Sequence, residues 1–122
     1  MDSGDKIYSF RDLKIWQKGL EITREIYLLT KELPKEEIFG LVSQMRRAAV
    51  SIPSNIAEGR GRSSRRDFAQ FLHVAIGSMA ELETQLIIVR DLYKINVSKI
   101  VEIIQEENRM TVSMINKLKA KS

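Results

Sequence analysis

Six arginines, Arg46, Arg47, Arg60, Arg62, Arg65 and Arg66, fall between positions 46 and 66, where Glu58 is the only acid. A guanidinium group is planar, permanently charged and able to fork onto phosphate oxygens, so such a cluster points to a nucleic-acid backbone. Catalytic chemistry has fewer candidates. The chain has one histidine, His73, and no cysteine, which excludes disulfides and thiolate metal sites. Gln70, rather than a glutamate, stands three residues before His73, so the Glu-x-x-His pair of a bundle di-iron site is not formed. Ser51, Ser54 and Ser78 have no second histidine with which to build a triad. Gly59–Arg60–Gly61 lacks both the length of a P-loop and its Lys-Ser/Thr ending. The expectation is a protein that is not an enzyme and holds neither metal nor cofactor.

Four helical segments must position these groups. The first is expected from about Phe10 to Leu33, stopping at Pro34, and the second from about Lys35 to Glu58, ended by Gly59 and Gly61. The third starts after Ser64, which forms a capping box with Asp67, and runs to about Lys94. A last helix, capped by Ser98, reaches about Lys119. Phe68, Leu72, Ala75, Met79, Leu82, Leu86, Val89 and Tyr93 alternate by four and three, an unbroken a/d seam. Leu13, Trp16, Leu20, Thr23 and Tyr27 repeat it in the first helix, and Ile38, Leu41, Met45, Ala48 and Ile52 in the second. In the fourth, Ile100, Ile103, Met110, Met114 and Leu118 do so, with Glu107 at an intervening position assigned to a bundle end or a partner. Four seams and short loops predict an all-α, antiparallel up-down-up-down four-helix bundle. A single long coiled coil is the rival, opposed by Pro34 and the glycines.

In that topology the loop between the second and third helices shares one end with both termini. Arg60, Arg62, Arg65 and Arg66 should then lie near Lys117, Lys119 and Lys121. The bland alternative is a solvated face, with Arg46 or Arg47 pairing with Glu81 or Glu83. The first helix carries a second apolar stripe, Ile15, Ile22, Ile26 and Leu29, opposite its seam. If the seam faces the core, this stripe is a subunit interface. Ile76, Ile87 and Ile88 add apolar surface outside the third seam. Pro53 lies inside the second helix, where it removes a backbone hydrogen bond at a cost of about 3 kcal/mol. The helix either kinks there or pauses and restarts, with Ser51, Ser54 and Asn55 as partners for the freed groups.

With 122 residues the chain is one domain long: a flexible segment over 1–9, then the bundle over 10–122. Hydrophobic residues at 43% and charged residues at 30% suit a folded domain, and the formal charge of +4 is mild. No uninterrupted apolar run approaches a membrane span, and the polar start does not resemble a secretory signal. A cytoplasmic protein without a membrane partner is the expectation.

The stretch from Gln44 to Gly59, followed by Arg62, resembles the signature of the four-helix-bundle family named for intervening sequences in bacterial 23S ribosomal RNA genes. Phe10–Gln17, Phe71–Leu72, Ala75–Ser78 and Glu81–Gln85 are similar too, so the resemblance extends to about Leu92. It implies a bundle assembled into a ring, most simply a homopentamer. The best understood relatives are accessory proteins of diversity-generating retroelements, which resemble basic pentameric barrels binding nucleic acid and a reverse transcriptase. By resemblance, DNA or RNA and such an enzyme are the expected partners. The resemblance also places Pro53, Asn55 and Glu58 in one motif, with Asn55 and Glu58 expected as a buried hydrogen-bonded pair. With no recognised reading motif, nucleic-acid binding should follow charge and shape with little sequence preference. The alternative is a structural or protein-interaction module without a nucleic-acid ligand.

Overall fold

The structure is a computed structural model in which residues 9–120 are described. They form α1 (Lys14–Thr30), α2 (Ser43–Arg60), α3 (Arg65–Tyr93) and α4 (Ser98–Ala120), without a strand among the described residues. Residues 1–8, expected as a flexible segment, lie outside that range, as does Lys121. Ser9 caps a 3-10 turn, Phe10–Asp12, by accepting the Arg11 N–H, and so belongs to the folded part.

Successive helices pair antiparallel. Thr23 reaches the Ala49 carbonyl and Arg46 reaches Thr30, so α2 descends as α1 rises. Ser51 bonds Ser78 while Gly59 meets Phe71, which reverses α3 against α2. Glu83 with Gln105 and Lys18 with Glu106 close the cycle through α4. The α2–α3 contact is the most extensive and α1–α4 the least of the four sides.

The caps explain the boundaries. Ser64 Oγ accepts the Asp67 N–H at 3.0 Å, as the capping-box reading requires. α3 ends on Lys94, a left-handed residue (φ 57°) whose N–H returns to the Arg90 carbonyl. At α4 the cap is the Asn96 carboxamide, which accepts from both the Ser98 N–H and its hydroxyl. Ser98 is therefore the capped residue rather than the cap. α2 starts later than expected: Lys35–Glu37 form a 3-10 turn and Ile38–Val42 a π-helical turn broken at Gly40. Glu37 fastens this connection, accepting the Leu41 N–H and the Tyr93 hydroxyl.

The α3 seam is the core as read: Leu72, Ala75, Met79, Leu82, Leu86 and Val89 are buried, with Phe68 and Tyr93 half-buried. α3 is also long and apolar enough to cross a membrane by length and composition, a test that the core helix of a folded domain passes as well. Its seam packs mainly against α2 and α4. α1 is turned the other way. Ile15, Ile22, Ile26 and Leu29, expected at a subunit interface, are buried within the single chain and leave no surface for a partner. Trp16, Leu20 and Thr23 of the expected seam form its half-buried flank, and Tyr27 is exposed. The reason is Gly19, a core position without a side chain, where a Cβ would stand 3.2 Å from the Pro53 Cβ. That close approach also resolves the proline. Pro53 leaves the Ala49 carbonyl without its helical donor, and the Thr23 hydroxyl of α1, which bonds the Gly19 carbonyl at 2.9 Å, shares its proton with it at 3.2 Å. α2 continues through Pro53 as one helix.

α4 is rotated by about one residue from its predicted seam. Ile100, Ile104, Glu107, Thr111 and Ile115 are buried, while Ile103, Met110, Met114 and Leu118 flank them. Glu107 thus sits in the middle of α4 and fully inside the chain, not at an end or a partner. Among the described residues neither its carboxylate oxygens, nor Thr111 Oγ1, nor Gln85 Oε1 has a hydrogen-bond partner. Burial pushes its carboxyl up to about 8; Lys18 acts in the opposite direction, and Glu106 and Glu21 add to the rise.

Candidate nucleic-acid interface

Gly59 lets the last turn of α2 close onto the first turns of α3. A Cβ there would lie 2.7 Å from Phe71 Cβ and 2.9 Å from Phe68 Cδ1, so only glycine permits the approach without a shift. The contact sets the residues after α2 beside the start of α3, and it brings four of the predicted arginines together. Arg60, Arg62, Arg65 and Arg66, with Phe68 and the Ser63–Ser64 turn, line one open cleft of about 750 Å³. Arg62 is held in place by Glu58 at 2.9 Å and by the Phe71 ring, 4.7 Å beneath its guanidinium. Arg65 and Arg66 are exposed and form no ion pair among the described residues. The free N–H groups of the α3 N-terminus face the same end, and their dipole adds to the positive potential.

Arg65 and Arg66 also form one wall of a second, smaller cleft of about 330 Å³ between α3 and α4. Its floor is Ala69 and Leu118, and its rim includes Gln70, His73 and Lys119. Lys119 therefore joins the arginines as expected. Lys117 reaches the same end of the bundle on the other flank of α4, where it lines a groove with Leu13, Met110 and Met114.

Arg46 and Arg47 do not join the cluster. They lie one helix-length away, about 20 Å along α2 from Arg60 at 1.5 Å per residue. Arg46 is half-buried, donating from Nε to Thr30 Oγ1 at 3.0 Å and stacking 4.4 Å over Tyr27. It braces α1 against α2 and pairs with neither Glu81 nor Glu83. Asn55 and Glu58 are not a buried pair either. Asn55 donates to the Ser51 carbonyl and hydroxyl, and Ser51 in turn bonds Ser78, so Asn55 ties α2 to α3. Glu58 is exposed and serves Arg62.

Sequence reasoning weighed Gln70 and His73 only as a metal pair and did not count them with the basic surface, because both fall outside the α3 seam. The signal was present. Arg66, Gln70 and His73 are spaced by four and three, which aligns them on one helix face. Neither cleft is lined by a carboxylate. Among the described residues no group of three or more histidines or acids is placed to hold a metal ion.

No curated protein matches the chain. A solved structure of a protein with unknown function from the S23 ribosomal protein family of Bacteroides thetaiotaomicron superposes with a TM-score of 0.76 at 29% identity. The alignment covers 84% of this chain and 95% of that one. The family model of the 23S rRNA-intervening sequence protein matches residues 11–117. A match over that span, together with the shared four-helix architecture, makes this chain a member of the 23S rRNA-intervening sequence protein family.

Proposed function

We propose that the protein is a non-enzymatic, oligomeric accessory protein that binds nucleic acid through the α2–α3 end of its bundle, with little sequence preference. The observation that carries this reading is the convergence of Arg60, Arg62, Arg65 and Arg66 on one open cleft, with Lys119 in the next. Five cations on one surface, without a carboxylate in either lining, suit a polyanion better than a small neutral substrate. Neither cleft sets a carboxylate beside His73 or a serine, which supports a binding role over catalysis. A ring of copies, the pentamer that the family resemblance suggests, would repeat the cleft and track a phosphate backbone over a longer path.

Fluorescence anisotropy with labelled single- and double-stranded DNA and RNA, titrated at several salt concentrations, tests this reading. Counterion release predicts log affinity falling linearly with log salt, with a slope of about −0.7 to −0.9 per phosphate contacted. Absence of binding at low salt would sink it.

A protein-interaction role is the second reading, favoured by the opposite end of the bundle. There Phe39 is 96% exposed, Leu92 63% and Leu28 59%. A partner retained by the protein from a nuclease-treated extract, and lost on Phe39→Ser substitution, would support it.

A further inference from the structure

We infer that the cleft between α3 and α4 is a base-binding pocket, so that the ligand of the basic end is a single strand rather than a duplex. This rests on the nucleic-acid reading above and adds to it the strand form and the residues that select it. The two clefts differ in chemistry. The larger is walled by four arginines, with the Ser63 and Ser64 hydroxyls and the Phe68 ring between them, and is dominated by charge. The smaller has an apolar floor, Ala69 and Leu118, with a carboxamide and an imidazole on its rim. Arg65 and Arg66 line both, so a phosphate held on that ridge leaves its own base within reach of the smaller cleft.

The geometry suits a splayed nucleotide. Arg66, Gln70 and His73 share one face of α3 and span about 10 Å along its axis. A volume of about 330 Å³ lies at the small end of the range for ligand pockets. An unstacked base can lie on the apolar floor, stack on the exposed His73 ring and hydrogen-bond to Gln70, whose carboxamide both donates and accepts. A base inside a duplex is already stacked and paired, and only its phosphates would meet this surface. Because every base has a π-face and Gln70 adapts to either edge polarity, the pocket selects strand form without selecting sequence.

The test compares three labelled probes of equal length and salt: a single-stranded DNA oligonucleotide, its abasic phosphodiester counterpart and the corresponding duplex. The single strand should bind on the order of ten-fold more tightly than the abasic strand. His73→Ala and Gln70→Ala should erase that advantage while leaving abasic and duplex affinities unchanged. Both residues are exposed, so the variants should keep the wild-type melting temperature, checked by circular dichroism. Equal binding of the single and abasic strands, or an advantage that survives both substitutions, overturns the base pocket and leaves the phosphate-binding reading standing. If none of the three probes binds at low salt, both readings fall together.

Discussion

At the α2–α3 end, four arginines and a lysine line two adjoining clefts; at the other, Leu28, Phe39 and Leu92 present apolar side chains to solvent. Both ends are made by connections between antiparallel helices, yet they are tied down differently. The basic end closes through glycine: Gly59 admits Phe68 and Phe71, and the arginines project from a tight turn. The apolar end closes through a carboxylate: Glu37 takes the Leu41 N–H and the Tyr93 hydroxyl, and Phe39 is left pointing away. A charged surface of this kind attracts a polyanion at long range, whereas an apolar one acts only on contact. The proposed nucleic-acid role belongs to the charged end, and the protein-interaction reading to the apolar one.

Substitutions that address one end and spare the other test this division. The largest effect is expected from reversing Arg62, Arg65 and Arg66 to glutamate together. Affinity for a labelled oligonucleotide should drop by at least about a thousand-fold and the salt slope should flatten, since the variant repels the phosphates it formerly neutralised. Circular dichroism should still report a folded bundle, because Arg65 and Arg66 are exposed.

The middle of the bundle provides a control unrelated to either end. Glu107 titrates near its ordinary value when unfolded but at about 8 when folded. Its carboxyl is therefore protonated in the native state at pH 6, where the unfolded chain has already released the proton. Stability is greatest below the unfolded value and falls as pH rises toward 8, by roughly 1.4 kcal/mol per pH unit over that window. Glu107→Gln should flatten the urea-unfolding profile between pH 5 and 8 and leave nucleic-acid affinity at fixed pH unchanged.

Gly59→Ala comes next. The added methyl meets Phe71 and Phe68, so a stability loss of about 1–3 kcal/mol is expected from overpacking. Affinity should fall further than an equally destabilising core substitution causes, because the α2 end is pushed off α3 and the cleft opens. Phe39→Ser is milder still. Its side chain packs on almost nothing within the chain, so urea unfolding should shift by no more than about 0.5 kcal/mol. Oligonucleotide affinity should stay the same, while any self-association seen by light scattering that uses this end should weaken.

Much of this was legible in the residues. The α3 seam shows itself because eight positions in strict alternation are all apolar or aromatic, and the Ser64 cap because its partner Asp67 lies three residues on. The loop arginines were placed correctly because topology alone fixes their end. α1 was misread because its core stripe contains Gly19, whose value is the room it gives Pro53 on another helix. α4 was misread because Glu107 and Thr111 are polar residues at core positions, against the burial preference that any periodicity argument assumes. Arg46 looked like part of the basic cluster until Thr30 and Tyr27, residues distant in sequence, turned out to hold it. In each case the missing information is a contact between helices, which a pattern along one helix does not contain.

Hydrogen–deuterium exchange of the protein with and without a saturating single-stranded oligonucleotide tests the division between the ends most directly. Protection gained over residues 59–73 and 117–120, with residues 28–42 and 87–97 unchanged, is the predicted result. Protection confined to the Phe39 end, or spread equally over both, would contradict it.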